Sequence, residues 1–193
     1  DLKTIPTAFG ELDIIKVVQT LPGVKTMGEA SSGFNVRGGS TDQNLIQFNN
    51  GTVYNPTHLF GFFSAFNGSI VQDMELYKGS IPAKFGGRIS SVLDINSRKG
   101  NKEKYQGELS LGLLTSSVAL EGPIKKDKTS LLLSGRTTYS DWMLSLLPEK
   151  SGYKNGKAGF WDTNLILSHQ FSQKDNLYLS GYYSHDRFNF IEN

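Results

Sequence analysis

The sequence has 193 residues, with 20 Lys plus Arg against 18 Asp plus Glu, three His and no Cys. That length suits one domain or two small ones, and the missing cysteine excludes disulfide scaffolds, thiol nucleophiles and thiolate metal sites. Charge is evenly spread, with nine basic and eight acidic residues in 1–100, so no basic surface for nucleic acid is implied.

In chain order, Thr7 or Gly10 opens an expected helix running to about Thr20, with Leu12, Ile15, Val18 and Leu21 at helical spacing on one face. Asp1-Leu2-Lys3 ahead of it has no signal-peptide character and reads as the start of a mature or cut chain. Pro22-Gly23 stops the helix. Phe34 to Arg37 alternates as a strand ended by Gly38-Gly39, and Leu45 to Phe48 is a second. Asn50-Gly51 after it signals a tight hairpin, because such turns need positive φ. Val53-Tyr54 begins the expected return strand, which Pro56 ends. Ser64 to Gln72 reads as a short helix, Met74 to Tyr77 as a strand and Ile89 to Ile95 as another.

After Arg98-Lys99-Gly100 helical periodicity vanishes. Leu109, Leu111 and Leu113 alternate with polar residues, and after a slip the pattern resumes at Leu114, Ser116, Val118 and Leu120. A slip in a period of two marks a turn or bulge. Pro123 to Lys128 reads as a polar turn and Thr129 to Tyr139 as a strand. Ser140 to Phe160 reads as a long loop with a helical turn at Trp142 to Leu147. Trp161 to Phe171 and Leu177 to Phe188 form a hairpin. Strands near ten residues long with aromatic ends match transmembrane barrel strands, but a soluble sheet also alternates. The pattern alone leaves both open.

Little of the sequence points to catalysis. His58, His169 and His185 are far apart and lack ligand spacing, so no metal site is expected. There is no G-x-S-x-G elbow. Gly152 to Lys157 is one residue short of a phosphate loop and carries Ala158 where Ser or Thr is needed. Arg37-Gly38-Gly39 is a lone RGG triplet, hence a turn. Neither an enzyme nor a cofactor is expected.

The informative stretch is Phe34 to Arg98, which reads FNVRGGSTDQNLIQFNNGTVYNPTHLFGFFSAFN and then VQDMELYKGSIPAKFGGRISSVLDINSR. The VRGG turn, DQN followed by N-G, YNPTHLFGFFS, and ELYKG followed by A-x-F-G-G-R occur in that order. Together they closely resemble the plug domain of TonB-dependent outer-membrane receptors. The long-strand half resembles the beginning of that family's barrel, with Gly122-Pro123-Ile124 as a periplasmic turn. The resemblance implies an α+β plug over residues 1–99, then about five antiparallel β-strands of an incomplete transmembrane β-barrel over 100–193. Such barrels have about 22 strands, each about 9–11 residues long, so five strands leave open edges. Residues 101–193 expressed alone are expected to be aggregated or disordered.

The resemblance further implies a Gram-negative outer-membrane location, with the plug in the barrel lumen and outer-membrane lipid around the barrel. A small nutrient would bind on the extracellular side, and TonB, engaged through a segment upstream of this chain, would energise import. A non-transporting binding or surface-interaction protein on the same scaffold is the alternative. The wording of the glycan-importing subgroup, which pairs with a lipoprotein lid, is absent, so an accessory surface lipoprotein stays an open partner. Ser40, Asp42, Gln43, Tyr54, Asn55, His58 and Phe60 would face the ligand at the plug apex. Phe62 and Phe63 read as plug core. Arg37, Gly38, Gly39, Gly86, Gly87 and Arg88 would meet the barrel wall, the arginines pairing with carboxylates there. The ligand cannot be read from the sequence.

Overall fold

The computed structural model describes residues 13–26, 33–139, 141–146 and 156–189. The expected helix start at Thr7 or Gly10, Leu12 and most of the Gly152–Lys157 loop lie outside them. Contacts divide the described residues into two units, with the break in the chain between Arg98 and Lys99.

In the first unit, helix α1 (Ile14–Gln19) begins where Asp13 accepts a hydrogen bond from Lys16 N at 3.0 Å. A side-chain oxygen there satisfies a donor that the first helical turn cannot pair internally. The other Asp13 oxygen accepts from Ser64 N at 3.1 Å, tying the helix start to a distant strand. Ile14, Ile15, Val17 and Val18 are buried. Strands β1 (Val24–Thr26) and β2 (Phe34–Val36) form an antiparallel pair. Strands β3 (Asn44–Phe48), β4 (Gly51–Thr52), β5 (Thr57–His58), β6 (Phe63–Ser64), β7 (Val71–Tyr77) and β8 (Ser91–Ser97) follow. The main sheet runs β4-β3-β8-β7, with β3 and β8 parallel and the other neighbours antiparallel. Ile14, Ile15 and Val18 share one apolar core with Phe34, Val36, Phe66, Val71, Leu93 and Ile95.

Four local expectations change. The hairpin turn sits on Asn49-Asn50 rather than Asn50-Gly51: Phe48 pairs with Gly51, and φ is 49° and 65° at the two asparagines. Asn49 decides this placement, because its amide is held by β8. Its Oδ1 accepts from Ser97 N at 2.9 Å and its Nδ2 donates to Ser97 Oγ at 2.9 Å. The return strand is only Gly51–Thr52, and although Val53 N still donates to Ile46 O at 2.8 Å, Tyr54 turns outward. No helix covers Ser64 to Gln72. Asn67 Oδ1 takes both Ser69 N at 3.0 Å and Ser69 Oγ at 2.8 Å, and this local turn competes with helix. Ile89 is exposed and precedes β8, so that strand is displaced toward Ser97.

Asn49→Ala removes these bonds and leaves a Cβ-bearing residue in the left-handed region. At about 0.5–1.5 kcal/mol for each of the two hydrogen bonds and about 1–2 kcal/mol for the backbone, a loss of about 2–5 kcal/mol is expected. Hydrogen exchange of the Ser97 amide in the full-length protein measures it. Asn49→Gly, which relieves the backbone, should recover about half, and unchanged protection in Asn49→Ala would refute the role.

The second unit is one open antiparallel sheet of β9 (Gln106–Leu111), β10 (Thr115–Lys125), β11 (Thr129–Thr138), β12 (Lys157–Gln170) and β13 (Asn176–Asn189), in chain order. Helix α2 (Asp141–Ser145) lies between β11 and β12. The slip after Leu113 is a tight turn in which Gly112 N donates to Thr115 O at 2.8 Å. Gly122-Pro123-Ile124 is not the turn. Gly122 pairs with Leu131 and Pro123 with Ser130, the register shifts between Pro123 and Lys125, and Lys126–Lys128 reverse the chain. Proline lacks the ladder donor and is tolerated at such an irregularity. β12 starts at Lys157, earlier than the expected Trp161, because the alternation extends back through Phe160 and Ala158.

Candidate functional site

One face of the C-terminal sheet exposes large apolar side chains, while the other buries a mixed row that includes Leu132 and Ile166 as well as charged and polar groups. Leu120, Leu133 and Leu165 lie opposite one another across β10, β11 and β12, and all are exposed, Leu165 to 40%. Val118 and Trp161 share that exposed face. The row of Ser117, Arg136 and Asp162, and that of Ala119, Ser134 and Asn164, alternate with them and are buried. On the buried face Arg136 Nε donates to Asp162 Oδ2 at 2.8 Å and its NH2 to the same oxygen at 2.6 Å. The guanidinium also lies over the Phe160 ring, 4.9 Å from its centroid. Apolar side chains on the open face and an ion pair on the enclosed face suit a wall with hydrocarbon outside and a polar lumen inside.

The ends of this wall carry aromatics. Trp161 packs on Tyr183 at 5.3 Å and His185 at 6.4 Å near one end, and His169 meets Phe171 edge-on at 4.4 Å near the other. The Trp161 end also carries the long connection, residues 139–156. Short turns, Lys126–Lys128 and Ser172–Asp175, lie at the Phe171 end. The tight turn after Leu111 also lies at the Trp161 end, so it is the aromatic belts at both ends, not loop length, that match outer-membrane strands.

In the N-terminal unit, the loops before β3 and after β4 enclose a cleft of about 370 Å³. Thr41, Asp42, Asn44, Thr52, Tyr54, Asn55 and Arg88 are among its lining residues. Asp42 is fixed by its own turn: Ser40 N donates to Gln43 Oε1 at 3.2 Å, and Ser40 Oγ donates to Asp42 Oδ1. Chiefly through that hydroxyl, and to a lesser extent through its own backbone amide and Arg88, the Asp42 carboxyl is held below its ordinary value. At neutral pH the cleft therefore presents a carboxylate and a guanidinium together, beside the exposed Tyr54 ring.

Four of the expected apex residues and contact residues thus share this cleft: Asp42, Tyr54, Asn55 and Arg88. Ser40 and Gln43 shape the turn that supports it. His58 is a correction. It is 3% exposed in β5, opposite Phe63, and faces no solvent. Phe60 stands out at 68% exposure because Leu59, Phe60 and Gly61 all take positive φ, which turns Leu59 inward and Phe60 outward. Phe62, expected in the core, is 53% exposed, and Phe66 takes that place. Asn44 was not singled out from the sequence, yet it pins the cleft floor. Its Nδ2 donates to Phe34 O at 2.7 Å, and its Oδ1 accepts from Ser91 Oγ at 2.7 Å. Its place at the end of the DQN triplet was the available signal.

Arg37, Gly38, Gly86, Gly87 and Arg88 are exposed, and among the described residues no carboxylate forms an ion pair with either arginine. Gly38 and Gly87 are required by φ of +83° and +84°. Gly39 is required by space, since a Cβ would lie 2.7 Å from Ser90 Cβ. Gly86 meets neither constraint.

Residues 4–92 match the TonB-dependent receptor plug domain family. The chain carries a TonB-dependent receptor plug domain. Two solved structures share its fold. The siderophore receptor PirA from Acinetobacter baumannii matches with a TM-score of 0.68 at 19% identity over 98% of this chain and 31% of that one. The siderophore receptor PirA from Pseudomonas aeruginosa matches with a TM-score of 0.68 at 15% identity, over 98% and 33%. The chain thus spans about a third of each receptor's length. No curated protein matched significantly. The architecture is a plug domain followed by antiparallel strands that do not close into a barrel.

Proposed function

We propose that the full-length receptor resides in the Gram-negative outer membrane, binds a small nutrient on its extracellular side and imports it with energy from TonB. Residues 1–99 act as the plug within the lumen, and residues 100–193 form the first strands of the wall. TonB engages a segment upstream of this chain. The observation that carries this reading is a plug-domain match joined to a sheet with an exposed apolar face and a buried ion-paired face. The cleft with Asp42, Tyr54, Asn55 and Arg88 supplies a charged pair beside a flat ring, a mixture suited to a polar ligand with apolar surface. The exposed Phe60 extends the apolar part of that apex. Arg37 would take a carboxylate of the barrel wall as its partner, because a charge enclosed at that boundary needs one.

The two solved structures described above are of siderophore receptors, so a ferric siderophore panel is the first ligand set to test. Uptake of a radiolabelled chelate by cells carrying the full-length receptor is expected to vanish without TonB. Equal uptake with and without TonB would refute transport. Within the same receptor, Tyr54→Ala combined with Asp42→Asn is expected to weaken binding tenfold or more, about 1.4 kcal/mol. Unchanged affinity would remove the cleft from the ligand site.

A further inference from the structure

We propose that the exposed face of the C-terminal sheet carries a specific site for one anionic phospholipid, beside the short turn Lys126–Lys128. The proposal rests on the reading of this sheet as a membrane wall. A shallow apolar groove of about 500 Å³ crosses β9, β10 and β11 on that face, within the size range of small-molecule sites, about 300–1,000 Å³. Leu120, Leu131, Leu133 and Ile124 form its sides, and Gly107 and Gly122 lie along it. Glycine inside a strand weakens it and often marks a place where another group approaches closely. At Gly122 that group is Tyr105, because a Cβ there would run into the Tyr105 ring. Tyr105 OH donates to Pro123 O at 3.0 Å, which fixes the ring as one end of the groove.

The occupant follows from the charge at that end. Lys125, Lys126 and Lys128 are exposed at the turn, and Lys102 and Lys104 belong to the segment leading into Tyr105. The two stretches are bound to each other, since Asp127 N donates to Lys102 O at 3.0 Å. Five lysines against Glu103 and Asp127 leave this rim basic. An apolar groove ending at a basic rim fits an acyl chain whose phosphate headgroup meets the lysines, the arrangement by which basic clusters recognise anionic lipid. The site therefore belongs to the short-turn side of the wall.

The test uses the full-length receptor extracted in mild detergent. Native mass spectrometry compares retention of phosphatidylglycerol with that of phosphatidylcholine. Cross-linking with a photoactivatable-acyl phosphatidylglycerol then maps the contact. Wild type is expected to retain phosphatidylglycerol at least fivefold over phosphatidylcholine, with cross-links enriched in the peptides holding Tyr105 and Ile124. The triple change Lys125→Gln, Lys126→Gln, Lys128→Gln alters only exposed side chains and should abolish the preference. Equal retention of the two lipids, a preference that survives the triple change, or cross-links spread evenly around the barrel would overturn the site. Recovery of the receptor from the soluble fraction would overturn the membrane reading itself, a result distinct from an inserted barrel without lipid preference.

Discussion

Leu165→Arg is expected to destabilise the folded receptor by about 2–4 kcal/mol, the cost of a cationic side chain facing hydrocarbon near mid-depth. Leu165 sits four residues from Trp161 and four from His169 on β12, midway between the two aromatic ends. At 40% exposure in a water-soluble sheet, the same change would fall within about 0.5 kcal/mol. Thr137→Arg provides the depth control. Thr137 pairs with Trp161 and shares its level, where the cost falls to about 0–1 kcal/mol. Urea titration of the full-length receptor in lipid vesicles, followed by tryptophan fluorescence, gives both values. A Leu165→Arg cost no greater than that of Thr137→Arg would rule out a hydrocarbon-facing surface.

Asp162→Ala is expected to cost about 3–5 kcal/mol, because it removes the carboxylate to which the buried Arg136 guanidinium donates two hydrogen bonds. The side chains of Arg136 and Asp162 are only 1% and 0% exposed, so water cannot replace the lost carboxylate. The double variant Arg136→Leu, Asp162→Leu removes both charges and should regain most of the loss, since a buried pair replaced by apolar groups is often neutral. The temperature at which the barrel loses its heat-resistant gel mobility reports both. A single variant no less stable than the double would show that the guanidinium left behind carries no penalty, and would refute this account.

Much of the fold was legible in the sequence because its signals are local. Ile15 and Val18 at helical spacing, the alternation through β10 to β13, and the polar reversal at Ser172–Asp175 each depend on residues close in the chain. Failures occurred where a distant partner decided the outcome. Asn49 takes the turn because Ser97 holds its amide, and no local rule prefers Asn49-Asn50 over Asn50-Gly51. His58 looked like an apex residue from its neighbours Tyr54 and Asn55, but pairing of β5 with β6 buries it. Asn67 overrode a weak helical pattern through a two-residue side-chain turn. The cleft was half legible. Asp42, Tyr54 and Asn55 stand in recognisable segments, whereas Asn44 acts through Phe34 and Ser91, which are remote in sequence. The choice between membrane and water could not be read from alternation alone. It required knowing which of the two faces is covered.

In a wall one strand thick, only every second residue has to be apolar, so β10 to β13 contain no continuous hydrophobic stretch of the ~20 residues that a spanning helix requires. A chain patterned this way can be exported through a membrane whose machinery retains apolar helices, because no segment of it is oily enough to be held there. It becomes compatible with a bilayer only when neighbouring strands pair and satisfy one another's backbone groups. For this sheet, insertion and strand pairing are therefore one event.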